Sequence, residues 1–95
     1  MSKFDHIFSI SDKNLENEIE KAKFERICLK ILDLKPGCTL EQVKKAAKKA
    51  CLAFHPDKNP TEPRADDACK IWYRIRPKLI EIYEKRFILS FYVWT

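Results

Sequence analysis

Glycine is almost missing from this 95-residue chain. The single Gly37 argues against two-residue β-hairpins and phosphate-cradling loops, which need residues free to take positive φ, and for helices with short connections. The four cysteines, Cys28, Cys38, Cys51 and Cys69, include no Cys-x-x-Cys pair, and only His6 and His55 add nitrogen ligands. No metal site is expected from that spacing. Cys51 and Cys69 fall on apolar helical faces and read as small core residues of a reducing compartment. A cytoplasmic place is expected on that ground, with the nucleus as the other option. The first residues mix Lys, Asp and His with Phe and Ile, unlike a signal peptide. The apolar run Phe87-Ile88-Leu89-Ser90-Phe91-Tyr92-Val93-Trp94 falls well short of the roughly 20 residues of a membrane helix, so no span is expected. No nucleophile constellation is present either, so no catalytic residue, cofactor or enzyme activity is expected.

What the chain does have is charge. It carries 19 Lys+Arg against 14 Asp+Glu, a net +5, with 45 % hydrophobic residues. That makes one small domain. A chain of this size buries only about 60–65 % of its unfolded surface, leaving little room for a deep cleft. The basic balance favours an acidic partner surface or nucleic acid and does not choose between them.

Helical periodicity dominates. Ser11 can cap a helix, with Ile10 packing on Leu15 as a hydrophobic staple. Leu15, Ile19, Ala22, Ile27 and Ile31 then recur at helical spacing, close to Phe24 and Cys28. One helix over 11–33 is predicted, stopped by the Lys35-Pro36-Gly37 turn. Thr39 opens the next, with Gln42 placed for a capping box. Leu40, Val43, Ala47, Ala50, Cys51 and Phe54 share one stripe. Lys44, Lys45, Lys48 and Lys49 fill the adjoining quadrant at about 100° per residue. Leu52 projects into that lysine face, either to pack on a neighbouring helix or to await a partner. Thr61 and Pro63 mark a third helix whose buried face is Ala65, Ala68, Cys69, Trp72, Ile75, Leu79, Ile82 and Tyr83. Pro77 should kink or break it near Arg76. From Phe87 onward the tail reads equally as continued helix or strand-like extension. Trp72 is read as a core anchor whose indole N–H needs a partner. Phe91 and Trp94 are read as core cover rather than a docking patch.

Between the second and third helices stands His55-Pro56-Asp57, followed by Lys58-Asn59-Pro60. Pro56 fixes its own φ, offers no N–H and ends the preceding helix. An imidazole and a carboxylate are thereby held outward at a stiff corner, a device for touching another molecule.

Residues from about Leu29 to Leu79 resemble a J-domain, the module of DnaJ-type co-chaperones that stimulates the ATPase of DnaK-type heat-shock chaperones. The resemblance rests on Leu29-Lys30-Ile31-Leu32, a turn, Leu40-Glu41-Gln42-Val43-Lys44-Lys45-Ala46, then His55-Pro56-Asp57-Lys58-Asn59-Pro60, then a helix bearing Ala, Trp and Leu. It agrees with the all-α fold that the periodicity gives: a J-domain-like antiparallel helical hairpin with an exposed His-Pro-Asp loop, plus an extended N-terminal helix. It also implies a stand-alone J-domain protein, divided into an N-terminal extension (1–28), a J-domain-like core (29–86) and an apolar tail (87–95). By the same resemblance His55, Pro56 and Asp57 transmit the ATPase signal, with Asp57 pairing with a basic residue of the chaperone. Lys44, Lys48 and Lys49, with Lys45 and Lys58 beside them, face an acidic surface of its nucleotide-binding domain, and Leu52 reaches its substrate-binding part.

The chain departs from the family pattern at several positions. Ala47 and Cys69 replace common aromatics, Ala53 a frequent basic residue, Arg76 a common Tyr and Asp33 a helix-ending Gly. Pro77 is a further departure. Two other readings stay open: a basic helical domain binding nucleic acid, although Lys and Ala read no sequence, and a J-like assembly module without ATPase stimulation. A second protein partner is expected through the N-terminal helix or the tail.

Overall fold

The helices begin and end where side chains can satisfy their free backbone groups. The structure, a computed structural model, describes the backbone of residues 2–93 and the side chains of residues 2–11 and 13–88. Every regular element among them is helical: α1 (Lys3–Phe8), a 3-10 turn (Asp12–Leu15), α2 (Glu18–Leu32), α3 (Leu40–Ala53), a second 3-10 turn (Pro56–Lys58) and α4 (Ala65–Val93).

The single helix expected over 11–33 is two pieces, the 3-10 turn and α2, and a further short helix precedes them. Ser2 and Asp5 form a capping box that starts α1, a six-residue helix absent from the sequence reading. Ser11 does open a helical turn, its N–H donating to Asn14 Oδ1 at 2.8 Å, but that turn ends at Leu15. Asn17 then caps α2, accepting from the Glu20 N–H at 2.9 Å. The buried stripe of α2 also differs from the expected one, since at about 100° per residue Ile19 lies about 140° around the helix from Phe24. Ile19 is 73 % exposed and Ala22 is exposed, while Phe24, Cys28, Leu29, Ile31 and Leu32 are buried. The helix stops earlier than the Lys35-Pro36-Gly37 turn, at Asp33, which takes the left-handed conformation (φ 56°, ψ 43°). The Leu34 N–H closes the end on the Leu29 carbonyl at 3.0 Å.

The capping box expected at α3 forms as expected: the Thr39 N–H donates to Gln42 Oε1 at 2.8 Å and the Gln42 N–H to Thr39 Oγ1 at 3.2 Å. Helix α4 starts at Ala65, two residues past Pro63, and runs unbroken through Pro77 to Val93. Of the kink or break expected near Arg76, the break does not occur. Tyr73 and Pro77, the two ends of the lost hydrogen bond, are both exposed, so water can take the freed carbonyl. The tail from Phe87 to Val93 is therefore helix, not strand; the reading of Phe91 and Trp94 as core cover falls outside the described side chains.

α3 and α4 pack antiparallel, with α2 and α1 against them. Trp72, Phe24, Phe54, Ile7, Leu79, Val43 and Cys28 are the largest fully buried side chains. Trp72 finds the partner its indole needs: Nε1 donates to the Ala47 carbonyl at 3.2 Å. Cys51 and Cys69 are buried as expected. None of the helices is long and apolar enough to cross a membrane, among the described residues.

Candidate functional site

α3 hands the chain directly to the His-Pro-Asp corner. Phe54 closes the helix and is fully buried, anchoring the last turn in the core. His55 then leaves helical geometry (φ −66°, ψ 138°), and Pro56 opens the second 3-10 turn. Two side chains fix the shape of this corner. His55 Nδ1 accepts the Asp57 backbone N–H at 3.2 Å, so in this arrangement that nitrogen is the unprotonated one. Asn59 spends both amide hydrogens on the end of α3, donating from Nδ2 to the Ala53 carbonyl at 2.7 Å and the His55 carbonyl at 2.9 Å. Carbonyls at a helix end have no intrahelical partner, so this closes an account the helix leaves open. The backbone adds bonds from the Lys58 N–H to His55 and from the Asn59 N–H to Pro56, each at 3.0 Å.

The result is a pinned backbone with a free tip. The Asp57 side chain is 90 % exposed, and its Oδ2 stands 3.7 Å from His55 Nδ1, too far for a hydrogen bond. Lys58 is exposed beside it, while His55 and Pro56 are half-buried. Along α3, Lys44, Lys45, Lys48 and Lys49 are all exposed. Among the described residues none of the four stands within ion-pair distance of a carboxylate. Leu52 is 61 % exposed and packs on no neighbouring helix. A carboxylate tip, a row of ammonium groups and one apolar side chain therefore share the outer surface of one helix and its following loop. Such a surface can accept charge-assisted hydrogen bonds and attract an acidic face.

Asn59 is the residue the sequence reading passed over. Its signal was present: an Asn four residues past His55, at a helix end with unsatisfied carbonyls, has two donors for them. The departures are local. Ala47 and Cys69 are small and buried, and Trp72 lies against Ala47. Arg76 crosses to α3, donating to Cys51 Sγ at 3.1 Å while its guanidinium covers the Tyr73 ring at 5.6 Å. Ala53 contributes the carbonyl that Asn59 caps.

Comparison with known proteins agrees with this geometry. The DnaJ domain family matches residues 28–72. An uncharacterized J domain-containing protein of Schizosaccharomyces pombe is 54 % identical over 41 residues, covering 43 % of this chain and 10 % of that protein. DnaJ homolog subfamily A member 4 of Mus musculus is 39 % identical over 57 residues, 58 % of this chain and 14 % of that one. The J domain-containing protein spf31 of S. pombe is 30 % identical over 69 residues, covering 70 % of this chain and 33 % of the relative. The matched segments thus span a tenth to a third of these relatives' lengths. No solved structure matches significantly. With the pinned corner and the helix leading into it, these matches place residues 28–72 of the chain in the DnaJ-domain family.

Proposed function

We propose that this chain binds a DnaK-type heat-shock chaperone through the outer surface of α3 and the His-Pro-Asp loop, and stimulates that chaperone's ATP hydrolysis. The observation that carries the reading is Asp57: a 90 % exposed carboxylate on a backbone held at both ends by His55 and Asn59. A group meant for a partner's cation is best presented this way, because little conformational freedom remains to be lost on contact. Lys44, Lys45, Lys48 and Lys49 steer the encounter with an acidic surface, raising the on-rate more than the affinity. Lys58 extends the same field to the loop, and Leu52 supplies an apolar contact. Asp57 then accepts from an arginine or lysine of the chaperone. The chain performs no hydrolysis itself. It acts by binding one conformational state of the chaperone better than another.

Single-turnover ATP hydrolysis by a DnaK-type chaperone tests this. Added protein should accelerate it, and Asp57→Asn should abolish the acceleration with helical content unchanged, since the exposed carboxylate holds nothing in the fold. Equal stimulation by both proteins would remove the loop from the mechanism. A module that only assembles would bind the chaperone without changing its rate. A nucleic-acid binder would instead show affinity for duplex DNA or RNA falling steeply with salt.

A further inference from the structure

Helix α1 lies outside residues 28–72, and the docking reading makes no use of it. It is nevertheless firmly seated. Phe4 is 7 % exposed and Ile7 0 %. The Phe4 ring meets Phe54 edge-on, with centroids 5.4 Å apart and planes at 81°. Phe54 is the residue immediately before His55, so this contact bears on the stem by which the chain enters the loop.

The stem by which the chain leaves the loop is also held by α1. Arg64, just before α4, donates from Nη1 to Asp5 Oδ1 at 3.1 Å and from Nε to Glu62 Oε1 at 2.9 Å. Its guanidinium lies over the Phe4 ring at 5.8 Å and the Phe8 ring at 5.7 Å. Backbone bonds carry this position inward: the Glu62 N–H donates to the Asn59 carbonyl at 3.1 Å, and Asn59 in turn caps Ala53 and His55. One short helix thus touches residue 54 on one side of the loop and residue 64 on the other.

We infer that α1 is a brace for the His-Pro-Asp loop, with Arg64 as the positioning residue that joins it to the exit stem. The signal the loop delivers depends on this brace, whereas docking through the α3 lysines does not. The inference rests on the proposed chaperone function for its activity consequence, but its structural half stands without it.

The test uses the full chain with Arg64→Ala, Arg64→Lys and Asp5→Asn. In the absence of chaperone, backbone amide resonances of Asp57, Lys58 and Asn59 and the Asn59 side-chain amide report the loop. Arg64→Ala should shift all of them, Asp5→Asn should shift them less, and Arg64→Lys, which keeps a cation within reach of Asp5, should stay nearest the parent. With chaperone, Arg64→Ala should lower the maximal stimulated rate on the order of fivefold, the usual scale of coupling between groups in contact. The concentration giving half-maximal stimulation should not change, because the lysines are untouched. A role confined to core stability would lower the melting temperature and leave loop resonances and maximal rate at the parent's values; that result overturns the inference. If the parent protein fails to stimulate any DnaK-type chaperone, the function reading falls and the loop resonances alone decide the brace, shifted in its favour or unshifted against it.

Discussion

Helix α1 and the His-Pro-Asp loop are similar in length and opposite in construction. The loop is built from its own neighbours: His55 reaches two residues along to Asp57, and Asn59 reaches back four and six residues to His55 and Ala53. Its charged tip faces water. In α1 the apolar pair Phe4 and Ile7 is buried, and its ionic tie runs from Asp5 to a residue 59 positions away. The loop's internal hydrogen bonds are local, whereas α1 is held by tertiary contacts. A six-residue helix has too few internal bonds to stand alone in water, so α1 exists because of what it rests on.

The largest effect should come where the two constructions meet. Phe54 packs on Phe4 of α1 and on Trp72 of α4, with ring centroids 5.9 Å apart for the latter pair. Phe54→Ala should cost about 3–5 kcal/mol, the range for truncating a buried aromatic, read from the midpoint of urea unfolding. A change under about 1 kcal/mol would mean that α1 is not seated as described. Next is the loop's own fastening. Asn59→Ala removes two hydrogen bonds from part-buried carbonyls and should cost about 1–3 kcal/mol, with faster amide exchange at Lys58 and Asn59 and none at α1. If α1 exchanges faster as well, the two regions are a single cooperative unit.

A gain should appear at Asp33, a local device outside both regions. A non-glycine residue at φ 56° bears a left-handed penalty, so Asp33→Gly should stabilise the chain by about 1 kcal/mol, seen as a higher melting temperature. The smallest effect is a titration. The Ser2 backbone N–H and then the Arg64 guanidinium hold the Asp5 carboxyl below its ordinary 3.8, and Arg64 holds Glu62 below its ordinary 4.5. Carboxylates with lowered values in the folded chain contribute stability that is complete above their unfolded values and lost as pH falls through the folded ones. Amide protection in α1 should therefore decline below about pH 4 while protection in α3 persists. Both carboxylates are partly exposed, which keeps the effect modest. Equal loss in both helices would point to general acid unfolding.

The same contrast explains what could be read from the sequence. Helix α3, its Thr39–Gln42 box and the outward His-Pro-Asp corner all follow from residues within a few positions of one another, and all were legible. The all-helical architecture followed from periodicity. Two expectations differ from the structure in part, and one tertiary contact was not foreseen. Ile19 and Ala22 share a helical spacing with Ile27 and Ile31, but the face that α2 buries is centred on Phe24, Cys28 and Ile31, and the first two fall outside it. Pro77 carries a strong breaking signal, but that rule weighs most where the freed carbonyl is buried, and Pro77 and Tyr73 are exposed. The tie from Arg64 to α1 was not foreseen, because nothing near Arg64 in sequence points to Asp5, Phe4 and Phe8 together.

The buried cysteines have a practical consequence. Cys28 lies in α2, Cys51 in α3 and Cys69 in α4, one sulfur for each long helix, all buried. Burial raises the Cys28 thiol far above its ordinary range and raises Cys69 as well. Alkylating reagents attack the thiolate, so each site should react only when its own helix opens. Timed alkylation read by mass spectrometry would then record the order in which the three rods separate, with no label added to the chain.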